Sequence, residues 1–113
     1  MLSSKYRLTK AKDFKKVNAF GRSLFSRFFR LKYLANNLES SRLAIVTSTR
    51  VSKKATVRNR IRRQLREIIR LNLAKIKAGY DIVIFVQIQA LAKNYQELEQ
   101  EIFALLTKAK LIK

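Results

Sequence analysis

One stretch of the chain, residues 55–77, combines an apolar pattern and a charge pattern that a surface helix packed on a core can satisfy together. Its apolar residues recur at steps of three to five, and about 100° of rotation per residue gathers them on one side of an α-helix. This apolar stripe consists of Val57, Ile61, Leu65, Ile68, Leu73 and Ile76. The other sides of the helix carry Arg58, Arg60, Arg62, Arg63, Arg66 and Arg70. The helix therefore packs one side against a core and presents guanidinium groups on the others.

The charge of this region is too one-sided for internal pairing. Between residues 50 and 70 there are nine Lys or Arg residues and one acid, Glu67. Like charges one helical turn apart repel by roughly a few tenths of a kcal/mol per pair. The whole chain has a formal net charge of +19, yet its hydrophobic content of 48% is too high for a disordered basic tail. The excess charge therefore indicates a polyanionic partner.

Nucleic acid is the polyanion that the composition favours, because neutralising its phosphates releases condensed counterions. An acidic membrane surface is the alternative. The sequence has no apolar run of about 18 residues and no pattern of a secretory signal. We therefore expect no membrane partner and a cytoplasmic location.

The length of 113 residues predicts a single domain over residues 1–113. Hydrophobic periodicity predicts helices at 9–20, 55–77 and 94–109. Runs of β-branched and aromatic residues predict strands at 23–34, 42–49 and 81–88, the last near the sheet centre. The first two strands are expected to pair as a hairpin, Gly79 to end the second helix, and Asn94 to cap the third. The elements indicate an α+β domain with helices on an antiparallel or mixed sheet.

The usual catalytic side chains are missing from this sequence. It has no His, no Cys and only two Gly residues, which excludes a histidine base, a cysteine nucleophile, a thiolate zinc site and a glycine-rich phosphate loop. Asp13, Glu39 and Asp81 are scattered along the chain, and their spacing suggests no metal site for phosphodiester cleavage. We predict no catalytic residue and no metal ligand in the protein.

Aromatic residues alternate with cations over residues 23–34. Strand alternation places Phe29 and Tyr33 on one face with Phe25, and it places Phe28 on the other face with two cations, Arg30 and Lys32. One face must then expose an aromatic ring beside cations. This combination binds single-stranded nucleic acid, in which each stacked base contributes about 1–3 kcal/mol.

Residues 58–67, with the sequence RNRIRRQLRE, resemble the signature of the bacterial ribonuclease P protein component. The family pattern is Arg-Asn-Arg, an apolar residue, Lys or Arg, Arg, two mostly apolar residues, Arg and Glu. Asp13 and Phe14 ahead of Gly21, the strand RLAIV before the basic loop, the apolar strand after Gly79 and the closing helix also match. The loop before the signature lacks a glycine that the family often has, and Asn18 stands where some relatives have an aromatic residue. The resemblance covers nearly the whole chain.

The resemblance implies a fold and a function. The implied fold has the order αβββαβα, with helices on a four-stranded mixed sheet and a left-handed βαβ crossover, like domain 2 of ribosomal protein S5. The implied function is that of the protein subunit of ribonuclease P, a ribonucleoprotein endonuclease that removes the 5′ leader from precursor tRNA. In this family the RNA subunit is the catalyst and uses Mg²⁺, so the protein alone is expected to bind no cofactor. No protein partner is evident from the sequence.

The resemblance also implies which residues contact RNA. The residues expected to face the catalytic RNA are Lys53, Lys54, Arg58, Asn59, Arg60, Arg62, Arg63 and Arg66. A central cleft between the arginine-rich helix and the sheet is expected to hold the single-stranded leader. The residues expected to bind the leader are Phe14, Arg27, Phe29, Lys32 and Tyr33.

Three other functions are compatible with part of the sequence. A ribosomal protein or general RNA-binding module would have the same charge and aromatic residues, and co-purification with ribosomes would favour it. A nuclease acting alone is disfavoured by the missing catalytic groups. A DNA-binding helix is possible from charge, but nothing in the sequence resembles a helix-turn-helix pair or a dimer seam.

Overall fold

The computed structural model describes residues 2–113. Its helices and strands follow the order αβββαβα that the family resemblance implied. The elements are α1 (Ala11–Phe20), β1 (Arg22–Phe25), β2 (Phe29–Ala35), β3 (Arg42–Val46), α2 (Ala55–Asn72), β4 (Tyr80–Val86) and α3 (Tyr95–Lys108). A 3₁₀ turn, Leu73–Lys75, follows α2 directly. The expected α+β class is confirmed.

The four strands form one mixed sheet in the order β1-β2-β4-β3. β4 pairs antiparallel with β2 and parallel with β3. The predicted hairpin between residues 23–34 and 42–49 is therefore wrong. The reason is the apolar run of β4, which is buried on both faces of the sheet and so takes a central position between the other two strands. The connection between the parallel strands β3 and β4 contains α2, as the family resemblance implied.

The segment predicted as one strand over 23–34 is instead the hairpin of β1 and β2. Ser26 causes the break. Its hydroxyl oxygen accepts hydrogen bonds from the N–H groups of Phe28 and Phe29 at 3.2 and 3.0 Å, and its own N–H donates to the carbonyl of Phe29 at 2.8 Å. A short polar side chain that bonds the nearby backbone competes with a continuous strand. The alternation of faces therefore does not continue from β1 into β2.

The two faces of the sheet are covered by different helices. On one face, Phe29, Leu31 and Ile84 pack against α2 and α3 in the main core, and each is at most 1% exposed. On the other face, a smaller cluster joins α1 to β4 through Val17 and Val83. Phe25 on β1 belongs to this same face and is 64% exposed, so α1 does not cover the β1 edge of the sheet.

Most of the apolar stripe predicted for α2 is buried in the main core, whereas Val57 and Leu73 are only half-buried. Ile61, Leu65 and Ile68 are at most 2% exposed, and Ile69 lies beside them. The helix itself ends at Asn72 and not near residue 77. Burial of this stripe holds α2 against the sheet and fixes which of its sides faces solvent.

An ion-pair cluster attaches α1 to the sheet. Arg42 on β3 donates from Nε and Nη2 to the two carboxylate oxygens of Asp81 on β4 at 2.8 and 2.7 Å. Its Nη1 donates to Asp13 on α1 at 3.2 Å, and Asn36 donates a further bond to Asp81 at 2.9 Å. The hydrogen bonds to Asp81 are the main cause that raises the pKa of Arg42 above its usual value. Two acids that are far apart in the sequence are thus structural partners of one arginine.

Two predicted helix-end residues have different outcomes. Asn94 caps α3 as predicted: its side chain accepts from the N–H of Glu97, and the Glu97 side chain accepts from the N–H of Asn94. Gly79 has the left-handed backbone that was predicted, with φ of 89°, but it does not end a helix. It lies in the turn before β4, where its carbonyl accepts a hydrogen bond from the N–H of Asn36 at 2.8 Å.

Candidate nucleic-acid interface

The outer side of α2 carries a surface of five polar residues that we name the arginine surface. It consists of Asn59, Arg60, Arg62, Arg63 and Arg66. Burial of the apolar stripe on the opposite side of the helix turns these side chains outward, and four of them line a shallow concavity of about 330 Å³. The structure therefore groups five of the eight residues that were expected to face the catalytic RNA.

The guanidinium groups of the arginine surface have little internal charge compensation. Arg62 donates from Nη2 to the side-chain oxygen of Asn59 at 2.7 Å. Arg60, Arg63 and Arg66 are exposed, and no carboxylate among residues 2–113 forms a salt bridge with them. Three adjacent arginines without a carboxylate partner concentrate positive charge on this side of α2, and guanidinium forks have the geometry to bind phosphate oxygens.

Arg70 differs from these arginines because it is paired one turn further along α2. Its Nε donates to Glu67 at 3.0 Å, and the hydrogen bonds from Arg70 lower the pKa of Glu67 below its usual value. Glu67 is the one acidic residue of α2. Because it pairs with Arg70, it does not neutralise the arginine surface.

The start of α2 adds positive charge beside the arginine surface. Lys54 is the N-cap residue, and its side chain makes no cap hydrogen bond, so the first N–H groups of the helix have no side-chain acceptor there. Lys53 and Lys54 are both exposed. Arg58 is half-buried and donates from Nη1 to the carbonyl of Ser52 at 2.9 Å, which ties the preceding loop to the helix. Two lysines at a helix N-terminus favour an anion there, while Arg58 also has a structural partner.

The predicted location of the central cleft, between the arginine-rich helix and the sheet, is wrong. That space is filled by the main core, in which Ile61 and Leu65 of α2 pack with Phe29 and Ile84 of the sheet. Phe29 is fully buried, so its predicted contact with the leader is also wrong in this structure. Strand alternation within β2 turns Phe29 toward the large helices, where its ring is needed as core volume.

The open part of the sheet lies on the opposite face, beside α1. There, Arg30 on β2 is in register with Phe25 on β1 and Phe85 on β4, and directly opposite residues share a face. The guanidinium carbon of Arg30 is 5.6 Å from the ring centre of Phe25 and 5.1 Å from that of Phe85. Both distances are in the range of cation–π contacts. We name these three residues the arginine–phenyl row.

One nitrogen of Arg30 is poorly satisfied within this row. Its Nε is buried and has no hydrogen-bond partner in the described part of the chain. A buried donor without a partner is energetically unfavourable. Phe25, at 64% exposure, supplies an accessible ring face next to it.

The other residues expected to bind the leader are divided by the structure. Phe14 on α1 packs with the α1-side cluster, and Lys32 is on the same face of β2 as Arg30. Arg27 is exposed in the turn between β1 and β2. Tyr33 has its side chain on the opposite face and is half-buried against the main core. Phe14 and Lys32 are therefore brought close to the arginine–phenyl row, and Tyr33 is not.

The expectation of an aromatic ring beside cations on one face is correct, but the rings are different ones. Phe28 was predicted to accompany Arg30, yet it packs against the main core with Nζ of Lys93 4.6 Å from its ring centre. The rings beside Arg30 are Phe25 and Phe85, of which neither was predicted as a site residue. Their positions beside Arg30 depend on the register of β2 with β1 and β4, so the only local signal was the alternation of Arg30 and Lys32 with apolar residues.

No group of three or more His, Cys, Asp or Glu side chains in residues 2–113 is arranged to hold a metal ion. Within the same residues, every helix is too short or too polar to cross a membrane.

Comparison with known proteins gives a consistent result along nearly the whole chain. The model of the family Ribonuclease P matches residues 2–110. A ribonuclease P protein component from Pseudanabaena is 42% identical over 113 residues, covering 99% of this chain and 97% of the relative. The ribonuclease P protein component of Alkaliphilus metalliredigens is 34% identical, covering 98% of this chain and 99% of the relative.

Solved structures show the same fold. The ribonuclease P protein from Thermotoga maritima superposes with a TM-score of 0.83 at 30% identity, covering 90% of this chain and 96% of that one. The protein from Staphylococcus aureus superposes with a TM-score of 0.86 at 26% identity, covering 96% and 98% of the two chains. With the family match and relatives of similar length, these likenesses show that the chain belongs to the ribonuclease P protein component family.

Proposed function

We propose that this ribonuclease P protein, a subunit in tRNA 5′ processing that works with ribonuclease P RNA, binds that RNA through its arginine surface. The single observation that carries the proposal is the set of three exposed arginines without a carboxylate partner, Arg60, Arg63 and Arg66, in the segment that matches the family signature. Lysines at the start of α2 extend the same positive surface. Arginine forks bind phosphate oxygens in a bidentate manner, so this surface suits a folded RNA backbone.

The protein's contribution to catalysis is electrostatic. Folded RNA strands repel each other, and cations on α2 neutralise phosphates where those strands meet. The protein thereby lowers the Mg²⁺ concentration that the RNA requires. Catalysis and the Mg²⁺ are assigned to the RNA subunit, as the family resemblance implies, and the composition of this chain, without His or Cys, agrees with that assignment.

The 5′ leader of precursor tRNA is assigned to the α1 side of the sheet and not to the filled space beneath α2. Arg30 has a buried donor without a partner, and the exposed ring of Phe25 is available to a base. A phosphate at Arg30 and a base on Phe25 would use both groups together. Because mature tRNA lacks the leader, contact here favours precursor over product.

Reconstituted cleavage tests this function. We expect 5′-labelled precursor tRNA at low Mg²⁺ to be cleaved at the mature 5′ end only when this protein and a bacterial ribonuclease P RNA are both present. The protein alone is expected to be inactive. Absence of any stimulation with the RNA of its own organism would reject the assignment in favour of a general RNA-binding role, and cleavage by RNA-free protein would reject catalysis by the RNA.

The leader site can be tested separately with Arg30→Met, which keeps most of the side-chain length between the two rings. We expect the reconstituted holoenzyme to bind precursor tRNA about tenfold more weakly, the scale of one lost charge-assisted hydrogen bond. Affinity for mature tRNA should be unchanged, because it does not occupy this surface. The control is Lys108→Met, which removes one exposed charge at the end of α3. Equal weakening for precursor and mature tRNA would contradict the proposed leader site.

A further inference from the structure

A groove at one end of the sheet remains unused by the proposed function. Its volume of about 510 Å³ is within the roughly 300–1,000 Å³ typical of sites for small ligands. The groove is formed where α1 ends, β1 and β4 begin, and the chain leaves α3. Its lining includes three cations, Arg22, Lys77 and Lys110, and three aromatic residues, Phe20, Tyr33 and Tyr80. We name it the terminal groove.

The lining of the terminal groove is cationic and aromatic. Three cations reach it from separate segments: Arg22 from the start of β1, Lys77 from the loop before β4, and Lys110 from the turn after α3. Its lining includes no acidic residue, and none of the three cations forms a salt bridge within the described chain. Phe20 is 76% exposed, so its ring is accessible to a ligand in the groove.

The backbone holds the cation-bearing segments next to each other. The N–H of Lys77 donates to the carbonyl of Leu111, the neighbour of Lys110, at 2.7 Å. Arg22 is in register with Tyr33, and Ala35 with Tyr80, so β1, β2 and β4 fix the rest of the lining. The groove is therefore built from paired backbone and not from free loops, and its charges are held together in spite of their repulsion.

Lys110 has a backbone conformation that favours glycine. Its φ is 62°, in the left-handed region. It follows the end of α3 in a Schellman arrangement, in which the N–H of Lys110 donates to the carbonyl of Thr107 and that of Leu111 to the carbonyl of Leu106. Glycine is the residue that fits this position without strain. A lysine here is unfavourable for stability, and what it adds is a cation at the groove.

The terminal groove shares no lining residue with the arginine–phenyl row, although Phe20 at the end of α1 and Leu34 belong to the same side of the sheet as that row. Tyr33 and Arg22 occupy the face of the sheet that packs against α2 and α3, because Tyr33 alternates with Lys32 along β2. The arginine–phenyl row occupies the other face, with Arg30 and Lys32. RNA bound at Arg30 and RNA bound in the terminal groove therefore contact different residues.

From this combination we infer that the terminal groove binds one nucleotide unit of single-stranded RNA. Its phosphate would lie among Arg22, Lys77 and Lys110, and its base would stack on an aromatic ring of the lining, most accessibly that of Phe20. Cations and aromatic rings together are the recognition pattern for single-stranded nucleic acid. A nucleotide satisfies both parts, whereas a simple anion uses the cations alone and a neutral aromatic molecule uses the rings alone.

The test is a titration of the full-length protein with uridine 5′-monophosphate at physiological ionic strength, followed by NMR. We expect saturable shifts of the amide signals of Arg22, Lys77 and Lys110 and of the Phe20 ring. Uridine and inorganic phosphate are titrated in parallel, and each should bind more weakly than the nucleotide. Signals of Phe25 and Arg30 in the same spectra report binding at the arginine–phenyl row independently. Phosphate binding as tightly as the nucleotide with unmoved ring signals, or no saturable shift at the groove, would overturn the inference.

The Lys110→Gly variant separates binding from folding. We expect the melting temperature to rise, because glycine relieves the left-handed backbone, while the dissociation constant of the nucleotide at the groove increases about fivefold. Lys108→Ala is the matched control, since it removes the same charge two residues earlier outside the lining, and it should change the constant less than twofold. Unchanged nucleotide affinity in Lys110→Gly, or an equal loss in the control, would show that the groove does not hold the phosphate.

Discussion

Replacement of Arg60, Arg63 and Arg66 together by alanine is expected to weaken binding to ribonuclease P RNA by about 100-fold at physiological salt. The three side chains are exposed and have no carboxylate partner in the part of the chain that the structure describes. If each makes one phosphate contact of about 1 kcal/mol, the sum is about 3 kcal/mol, and about 1.4 kcal/mol corresponds to a factor of ten. A filter-binding series over salt concentration should also show a slope smaller by about three.

The fold should not suffer from this triple replacement, because the apolar stripe of α2 is untouched and repulsion between neighbouring arginines is relieved. The matched control replaces Lys75, Lys108 and Lys113 by alanine, which lowers the net charge equally outside the arginine surface. The control should lose less than a few-fold in affinity. Equal losses in the two triple variants would mean that overall charge, and not the arginine surface, drives binding to the RNA.

Replacement of Asp81 by alanine is expected to lower the free energy of unfolding by about 3 kcal/mol. Asp81 is 5% exposed and accepts two hydrogen bonds from Arg42 and one from Asn36. Without it, the half-buried guanidinium group of Arg42 keeps only its 3.2 Å contact with Asp13. The loss of an internal partner leaves a charge that solvent reaches poorly. Urea unfolding followed by circular dichroism at fixed salt measures the effect.

Glu39→Ala provides the control for this change, because it raises the net charge by the same amount at an exposed residue of the loop between β2 and β3. Its effect on the free energy of unfolding should stay within about 0.5 kcal/mol. A loss below about 1 kcal/mol for Asp81→Ala would contradict the role of the Arg42 cluster in fastening α1 and β3 to the centre of the sheet.

The arginine surface could be predicted from the sequence because helical periodicity and helix capping depend on residues three or four positions apart. The buried stripe through Ile61 and Leu65 and the cap at Asn94 are of this kind, and both are confirmed. The family signature in residues 58–67 carries the same local information. Patterns with such short range are visible before any tertiary contact is known.

The sheet order and the arginine–phenyl row could not be predicted from local patterns. The expected hairpin of the first two strands failed because β4 inserts between β2 and β3, and the cleft expected beneath α2 is filled because Phe29 is a core residue. The pair of rings around Arg30 exists only through the register of β2 with β1 and β4. Such pairings join residues that are distant in the chain.

The amino-acid sequence by itself therefore determined the class of fold, the charged helix and the family, since these depend on composition, period and a contiguous signature. Only the tertiary structure decided which aromatic rings are core and which are accessible, and that the acids Asp13 and Asp81 are partners of Arg42. The physical reason is that the burial of a side chain depends on which elements cover its whole face of the sheet. A strand exposes or hides a ring according to the helix that packs above it, and that choice is made by contacts between distant segments.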